Sequence, residues 1–230
     1  VYGADIDKKV IELSKKEYGI ENIKVIDTLA NSGGAILKQF KLKEPVDFVI
    51  GNPPYAPMST DIVIDTTDYL FLRNVKASGS NLFVAALYRA FELTKTKGII
   101  SYIIPKNLLH VASYGLLRRT ILNEKKIISI VDIGRYFKNV RGEQIILTLQ
   151  NSFEKDNNIE FYKYENNEFV KKLEVPQKFY SDEILMFDSK EDFNIYQTLE
   201  GTYKKFSDIC TGYVGRGKSK EPTAIVGKEI

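Results

Sequence analysis

Val46–Tyr55, VDFVIGNPPY, decides the fold. Val46–Ile50 is rich in β-branched and aromatic side chains and reads as a strand. Pro53 and Pro54 then fix φ and remove two amide donors, so the backbone can continue neither in a ladder nor in a helix. A rigid turn at the carboxyl end of a strand is expected, which is where open α/β sheets bind ligands. Asn52 offers a carboxamide oxygen as acceptor, the Pro53 carbonyl a second, and Tyr55 an aromatic face, with Pro54 between them. Two acceptors can hold both hydrogens of an exocyclic NH2 on a flat ring and turn the nitrogen lone pair out of the ring plane. An aromatic face can stack on that ring once it has left a duplex.

Working outward, strands and helices alternate. Val1–Asp5 and Ile23–Ile26 read as strands on either side of a helix over Lys8–Tyr18, with Asp7 as its N-cap and Gly19 as its stop. Ala35–Phe40 is a short helix. Beyond the turn, Ala56–Gly79 shows no strong period and is expected to be a long loop. Ser80 is expected to cap a helix over Asn81–Thr94, followed by a strand over Gly98–Pro105, a helix over Tyr114–Leu122, and strands over Ile127–Ile133 and Gln144–Gln150. This alternation predicts an α/β fold, doubly wound around a largely parallel sheet. After Asn151 the pattern changes: Ile159–Tyr164 and Phe169–Val175 flank Glu165–Glu168 as a β-hairpin, and Glu191–Leu199 reads as a helix. Residues 1–150 are therefore expected to form one domain, and 151–230 a β-rich extension leading into another.

Bulk properties exclude several classes. The 230 residues are 43% hydrophobic and 27% charged with net charge +3, an ordinary globular balance that is compatible with a nucleic-acid partner. No apolar run is long enough to span a bilayer, so no membrane partner is expected, and with one cysteine the expected compartment is the cytoplasm. A single histidine, His110, with the single Cys210 argues against a zinc site, and no metal is expected.

The Asn-Pro-Pro-Tyr turn after an apolar strand resembles motif IV of the amino-methyltransferases. The segments around it resemble the adenine-N6 DNA methyltransferases of type I and type IIG restriction–modification systems. Tyr2–Asp7 (YGADID) is similar to the family's second motif. That resemblance implies S-adenosylmethionine as cofactor, with Asp5 accepting from its ribose hydroxyls and Ile6 packing on its adenine. Val25–Thr28 resembles the third motif and implies Asp27 and Thr28 at the cofactor's adenine. Asn81–Leu109 and Val140–Gln150 look like later family segments. Phe137, beside Tyr136, falls where a second aromatic meets the flipped adenine. The implied partners are double-stranded DNA and a specificity or nuclease domain or subunit. The family's first, glycine-rich motif is missing before Tyr2. The native protein is thus expected to extend further toward its N-terminus, with that motif's strand lying between the Val1–Asp5 and Val46–Ile50 strands.

Rival readings remain. The same turn occurs in methyltransferases acting on cytosine N4, RNA or protein glutamine, and a non-catalytic DNA-specificity scaffold with this fold is a further alternative. Gly212–Ser219 matches a phosphate loop in letters, but Pro222 sits where the required helix would continue. Arg216, Lys218 and Lys220 read instead as phosphate contacts of a flexible segment or as solvated charge. Arg118 and Arg119 are expected on a helix surface.

Overall fold

The computed structural model describes residues 1–58, 69–137 and 142–203. The chain divides into two compact units, Val1–Met186 and Phe187–Ile230. The glycine- and lysine-rich Gly212–Ser219 stretch, Arg216, Lys218, Lys220 and Cys210 lie outside the described residues.

In the first unit, β1 (Gly3–Asp5) pairs in parallel with β2 (Ile23–Val25) through α1 (Lys8–Tyr18). Both ends of α1 follow from sequence. The Asp7 carboxylate accepts the Lys9 N–H, and Gly19, at φ +62°, returns its own N–H to the Lys15 carbonyl. Ser32 caps α2 (Gly33–Gln39). A six-stranded sheet follows in the order β3-β4-β6-β5-β7-β8. Its strands are β3 (Val46–Gly51), β4 (Thr94–Pro105), β5 (Lys126–Gly134), β6 (Gln144–Gln150), β7 (Asn158–Glu165) and β8 (Glu168–Pro176).

The sheet is mixed. β3, β4, β5 and β7 run one way, while β6 and β8 run against them. Asn52, Lys106, Arg135 and the β7–β8 turn therefore share one edge. The two-residue hairpin turn holds Asn166 and Asn167 at φ 53° and 65°, the paired left-handed conformation that asparagine tolerates. α4 (Leu82–Leu93) and α5 (Gly115–Glu124) accompany a core that includes Phe83, Leu87, Ile100, Ile104, Leu117, Ile127, Ile130 and Leu149. β3 is an edge strand, with Phe48 and Ile50 exposed at 69% and 78%.

Three expectations need correction. The stretch from Ala56 to Gly79 is not all loop, because Tyr69–Ala77 forms α3. The cap of α4 is Asn81 rather than Ser80; Ser80 sits at φ +48°, which leaves the Asn81 side chain to accept the Phe83 N–H. Arg118 is not a surface charge. It is 1% exposed, and its guanidinium donates to the carbonyls of Leu108, Val111 and Asp182 and to Asp182 Oδ1. Leu108 and Val111 lie in and beside two short 3-10 turns, where the Val111 carbonyl also accepts the Tyr114 N–H, and the buried five-donor fork supplies the further donors that so short a ladder lacks. Arg119 is half-exposed and also reaches Asp182.

The second unit is described through α6 (Lys190–Thr202), capped by Ser189 and flanked by Phe187 rings against Phe193 and Tyr196. Among the described residues no helix is long and apolar enough to cross a membrane.

Candidate active site

The Asn52–Tyr55 turn leaves β3 at the sheet's carboxyl edge. Gly51 lets that happen tightly, since a Cβ there would lie 3.2 Å from Tyr102 Cε1 on the paired strand β4. Asn52 is exposed and Tyr55 half-buried. The Tyr55 hydroxyl lies 2.9 Å from Asn52 Oδ1 and 3.0 Å from the Ile103 carbonyl of β4, and its one proton is shared between the two acceptors. Burial pushes the Tyr55 phenol up to about 12, so it remains a donor throughout the neutral range. When the proton sits on Ile103, both lone pairs of Asn52 Oδ1 are free to accept.

The turn is held from its far side as well. Asn81 Nδ2 donates to the Tyr55 carbonyl at 3.3 Å, Leu82 N–H to Ala56, and Met58 N–H to Ser80. Asn81 thus caps α4 with its oxygen and clamps the turn with its nitrogen, a role that sequence reading missed. The signal was present as an Asx residue at a helix start, but its partner is 26 residues away. Asn81→Ala is expected to cost about 1 kcal/mol through the lost cap, seen as an earlier thermal melt.

The structure places Asp5 at the end of β1 and Asp27 two residues beyond the end of the neighbouring β2. Ile26 N–H donates to the Asp5 carbonyl at 2.9 Å. Asp5 Oδ1 accepts Asp7 N–H, while Ile6 is 70% exposed. Asp27 Oδ1 accepts the N–H groups of Leu29 and Ala30, so one of its oxygens shapes the turn that carries Thr28. Phe137 belongs to a different strand end, three positions along the sheet from β3. It packs on Tyr136 at 5.3 Å, and Tyr136 packs on Tyr164 of β7 at 5.7 Å.

A carboxylate pair at adjacent strand ends with an exposed isoleucine fits a nucleoside, whose ribose hydroxyls and ring need acceptors and an apolar flank. Two acceptors and a fixed aromatic ring at the end of β3 fit a planar amine.

The chain resembles known proteins along most of its length. "Modification methylase CviBIII" of Paramecium bursaria Chlorella virus NC1A is 27% identical over 125 residues, 53% of this chain and 29% of the relative. The "Type II restriction enzyme and methyltransferase RM.Eco57I" of Escherichia coli is 26% identical over 189 residues, 79% of this chain and 18% of the relative. The chain therefore spans less than a third of the length of either.

Among solved structures, a type I restriction–modification methyltransferase subunit from Streptococcus thermophilus matches with TM-score 0.55 at 15% identity, over 87% of this chain and 41% of that one. A candidate class I S-adenosylmethionine-dependent methyltransferase of Listeria monocytogenes matches with TM-score 0.53 at 19% identity, over 70% and 48%. The ATP-dependent type ISP restriction–modification enzyme LlaBIII bound to DNA matches with TM-score 0.50 at 16% identity, over 68% and 13%. These structures establish the fold, that of the class I S-adenosylmethionine-dependent methyltransferases. The model of the family "Eco57I restriction-modification methylase" matches residues 1–140, more than half of the chain, and the chain belongs to that family.

Proposed function

We propose that this chain is the catalytic part of an enzyme that methylates the N6 amino group of adenine in double-stranded DNA, within a restriction–modification system. The observation that carries this reading is the Asn52–Tyr55 turn. It is a strand-end pair of acceptors beside an aromatic ring whose hydroxyl is tied to Asn52 and to the sheet. An adenine extruded from the duplex stacks on Tyr55 and Phe137, bordered by Pro54. Asn52 Oδ1 and the Pro53 carbonyl accept the two N6 hydrogens. The nitrogen lone pair is thereby withdrawn from ring conjugation and directed out of the plane, and its proton is lost only after the new N–C bond forms.

S-adenosylmethionine, when bound, supplies an already activated methyl group, so positioning provides most of the rate. Asp5 would hold its ribose, spending one oxygen on Asp7 N–H and the other on the sugar. Ile6 would cover its adenine, and Asp27 and Thr28 would border the adenine's edge. The edge position of β3 supports a further strand of the native protein, carrying the glycine-rich turn, between β3 and β1, and exposed Phe48 and Ile50, two residues apart on one face of β3, support an element packed over that face. The extension after Asn151, beginning with the β7–β8 hairpin, is proposed to lead to a target-recognition domain. A specificity or nuclease domain or subunit is the further partner, and the cytoplasm the proposed compartment.

The test is nucleoside analysis of DNA treated with the intact protein and S-adenosylmethionine. N6-methyladenine is expected. N4-methylcytosine would move the assignment to cytosine, and no methylated base would end it. In parallel, Asp5→Ala is expected to weaken calorimetric binding of the demethylated cofactor by at least about tenfold, the worth of a charge-assisted hydrogen bond.

A further inference from the structure

The same sheet edge carries a charged cluster that takes no part in these steps. Lys106, the first residue after β4, donates from Nζ to Asp132 Oδ2 at 2.6 Å and to Glu143 Oε2 at 2.9 Å, and from its backbone N–H to the Glu143 carbonyl at 2.9 Å. Asp132 lies near the end of β5 and Glu143 immediately before β6. They flank the connection between β5 and β6 on which Tyr136 and Phe137 lie. One ammonium on the strand next to β3 therefore fastens both flanks.

Two neighbours tighten the same flanks. Gly134 N–H donates to Asp132 Oδ1, and Gln144, aligned between Pro105 and Gly134, donates from Nε2 to the Gly142 carbonyl. Gln144 is fully buried, yet its Oε1 has no hydrogen-bond partner among the described residues. Solvated pairs do little, but here the Asp132 and Lys106 side chains are only 16% and 28% exposed. Burial works to lower the Lys106 ammonium, yet the hydrogen bonds and charges of Asp132 and Glu143 together hold it above its usual range. One ammonium between two carboxylates also limits the negative charge that this edge turns toward a polyanion.

We propose that Lys106 is a positioning residue for base capture, clamping the end of β5 against the start of β6 so that Phe137, three residues beyond β5, stands ready to stack on the target base. The proposal rests on the DNA-methyltransferase reading.

The experiment uses the intact protein with a duplex carrying 2-aminopurine at the target adenine. Lys106→Met is expected to raise KM for DNA about tenfold, to leave KM for S-adenosylmethionine unchanged, and to remove the stacked component of the 2-aminopurine emission, since misplacement of about 1 Å is costly. Lys106→Arg, which keeps the charge, stays near wild type. Asp132→Asn moves in the direction of Lys106→Met. With Phe137→Ala already present, Lys106→Met adds less than about twofold, because the two act through one contact.

Several outcomes would overturn the proposal: an unchanged Lys106→Met, losses that multiply in the double variant, or a KM for S-adenosylmethionine that rises in parallel, which marks general unfolding. If the wild-type protein itself transfers no methyl group to DNA, the parent reading falls; if it does and only the Lys106 variants are silent, this inference alone falls.

Discussion

Asn52→Ala in the intact protein is expected to slow methyl transfer by roughly 10²- to 10³-fold, the range seen when one preorganised polar group is removed from a reacting centre. Binding of S-adenosylmethionine should not change, because Asp5, Ile6 and Asp27 stand at the ends of β1 and β2 and not on the turn. Stability should change little. Asn52 is exposed, and Tyr55 keeps its second acceptor at Ile103, 3.0 Å away. The loss is specific to the chemical step. Under the proposed mechanism, with only the Pro53 carbonyl remaining, one N6 hydrogen would be held and the other free, so the amino group would return to conjugation with its ring and its lone pair would no longer be aimed. Single-turnover methyl transfer, with a thermal melt as control, measures both halves of this expectation. A rate within about threefold of wild type would remove Asn52 from the chemistry and with it the strongest support for an amino-group substrate. Tyr55→Phe separates the neighbouring contribution: it keeps the stacking face and frees Asn52 Oδ1, so a much smaller loss is expected than for Asn52→Ala.

Those parts of the molecule that sequence made legible are the ones specified locally. α1 follows from Asp7, Gly19 and the spacing between them, and the β7–β8 turn follows from Asn166 and Asn167 between two alternating runs. The Asn52–Tyr55 turn follows from two prolines after a β-branched run, whatever lies elsewhere in the chain. What escaped depends on partners distant in sequence. α3 has nine residues, too few turns for its period to stand out, and belongs to a stretch with no strong pattern of its own. β4 begins at Thr94, ahead of the apolar run, because Val46 of β3 pairs with it there. The dual role of Asn81, the clamp at Lys106 and the tie of Arg118 to Asp182 each join residues 26 to 64 positions apart, and no periodicity reports such a meeting.

Arg118 yields the largest expected effect on stability. Arg118→Leu is expected to destabilise the first unit by about 3 kcal/mol, the cost of stranding acceptors that a buried fork of donors satisfies. Leucine can refill part of the volume but none of the donors. The Leu108 carbonyl, bonded by Arg118 Nη1 at 3.0 Å in a buried setting, would be left without that partner, as would the Asp182 carbonyl, whereas the Val111 carbonyl would keep the Tyr114 N–H at 3.0 Å. The Asp182 carboxylate is the exception, since it is partly exposed and retains Arg119 at 3.5 Å. The penalty therefore comes from stranded backbone acceptors rather than from a lost ion pair. Asp182→Asn should consequently cost much less, under about 1 kcal/mol, because the Asp182 carbonyl and one side-chain acceptor persist. For a unit of this size, 3 kcal/mol corresponds to a fall in Tm of roughly 6–12 °C. Comparable melts for Arg118→Leu and wild type would mean that these carbonyls find water or other donors at little cost. Equal losses in the two variants would instead place the stabilisation in the charge pair. The order expected from the geometry, a large loss at Arg118 and a small one at Asp182, follows because the arginine serves chiefly to terminate the irregular backbone between β4 and α5, whose end must be held firmly if the sheet edge bearing Asn52 and Lys106 is to keep its shape.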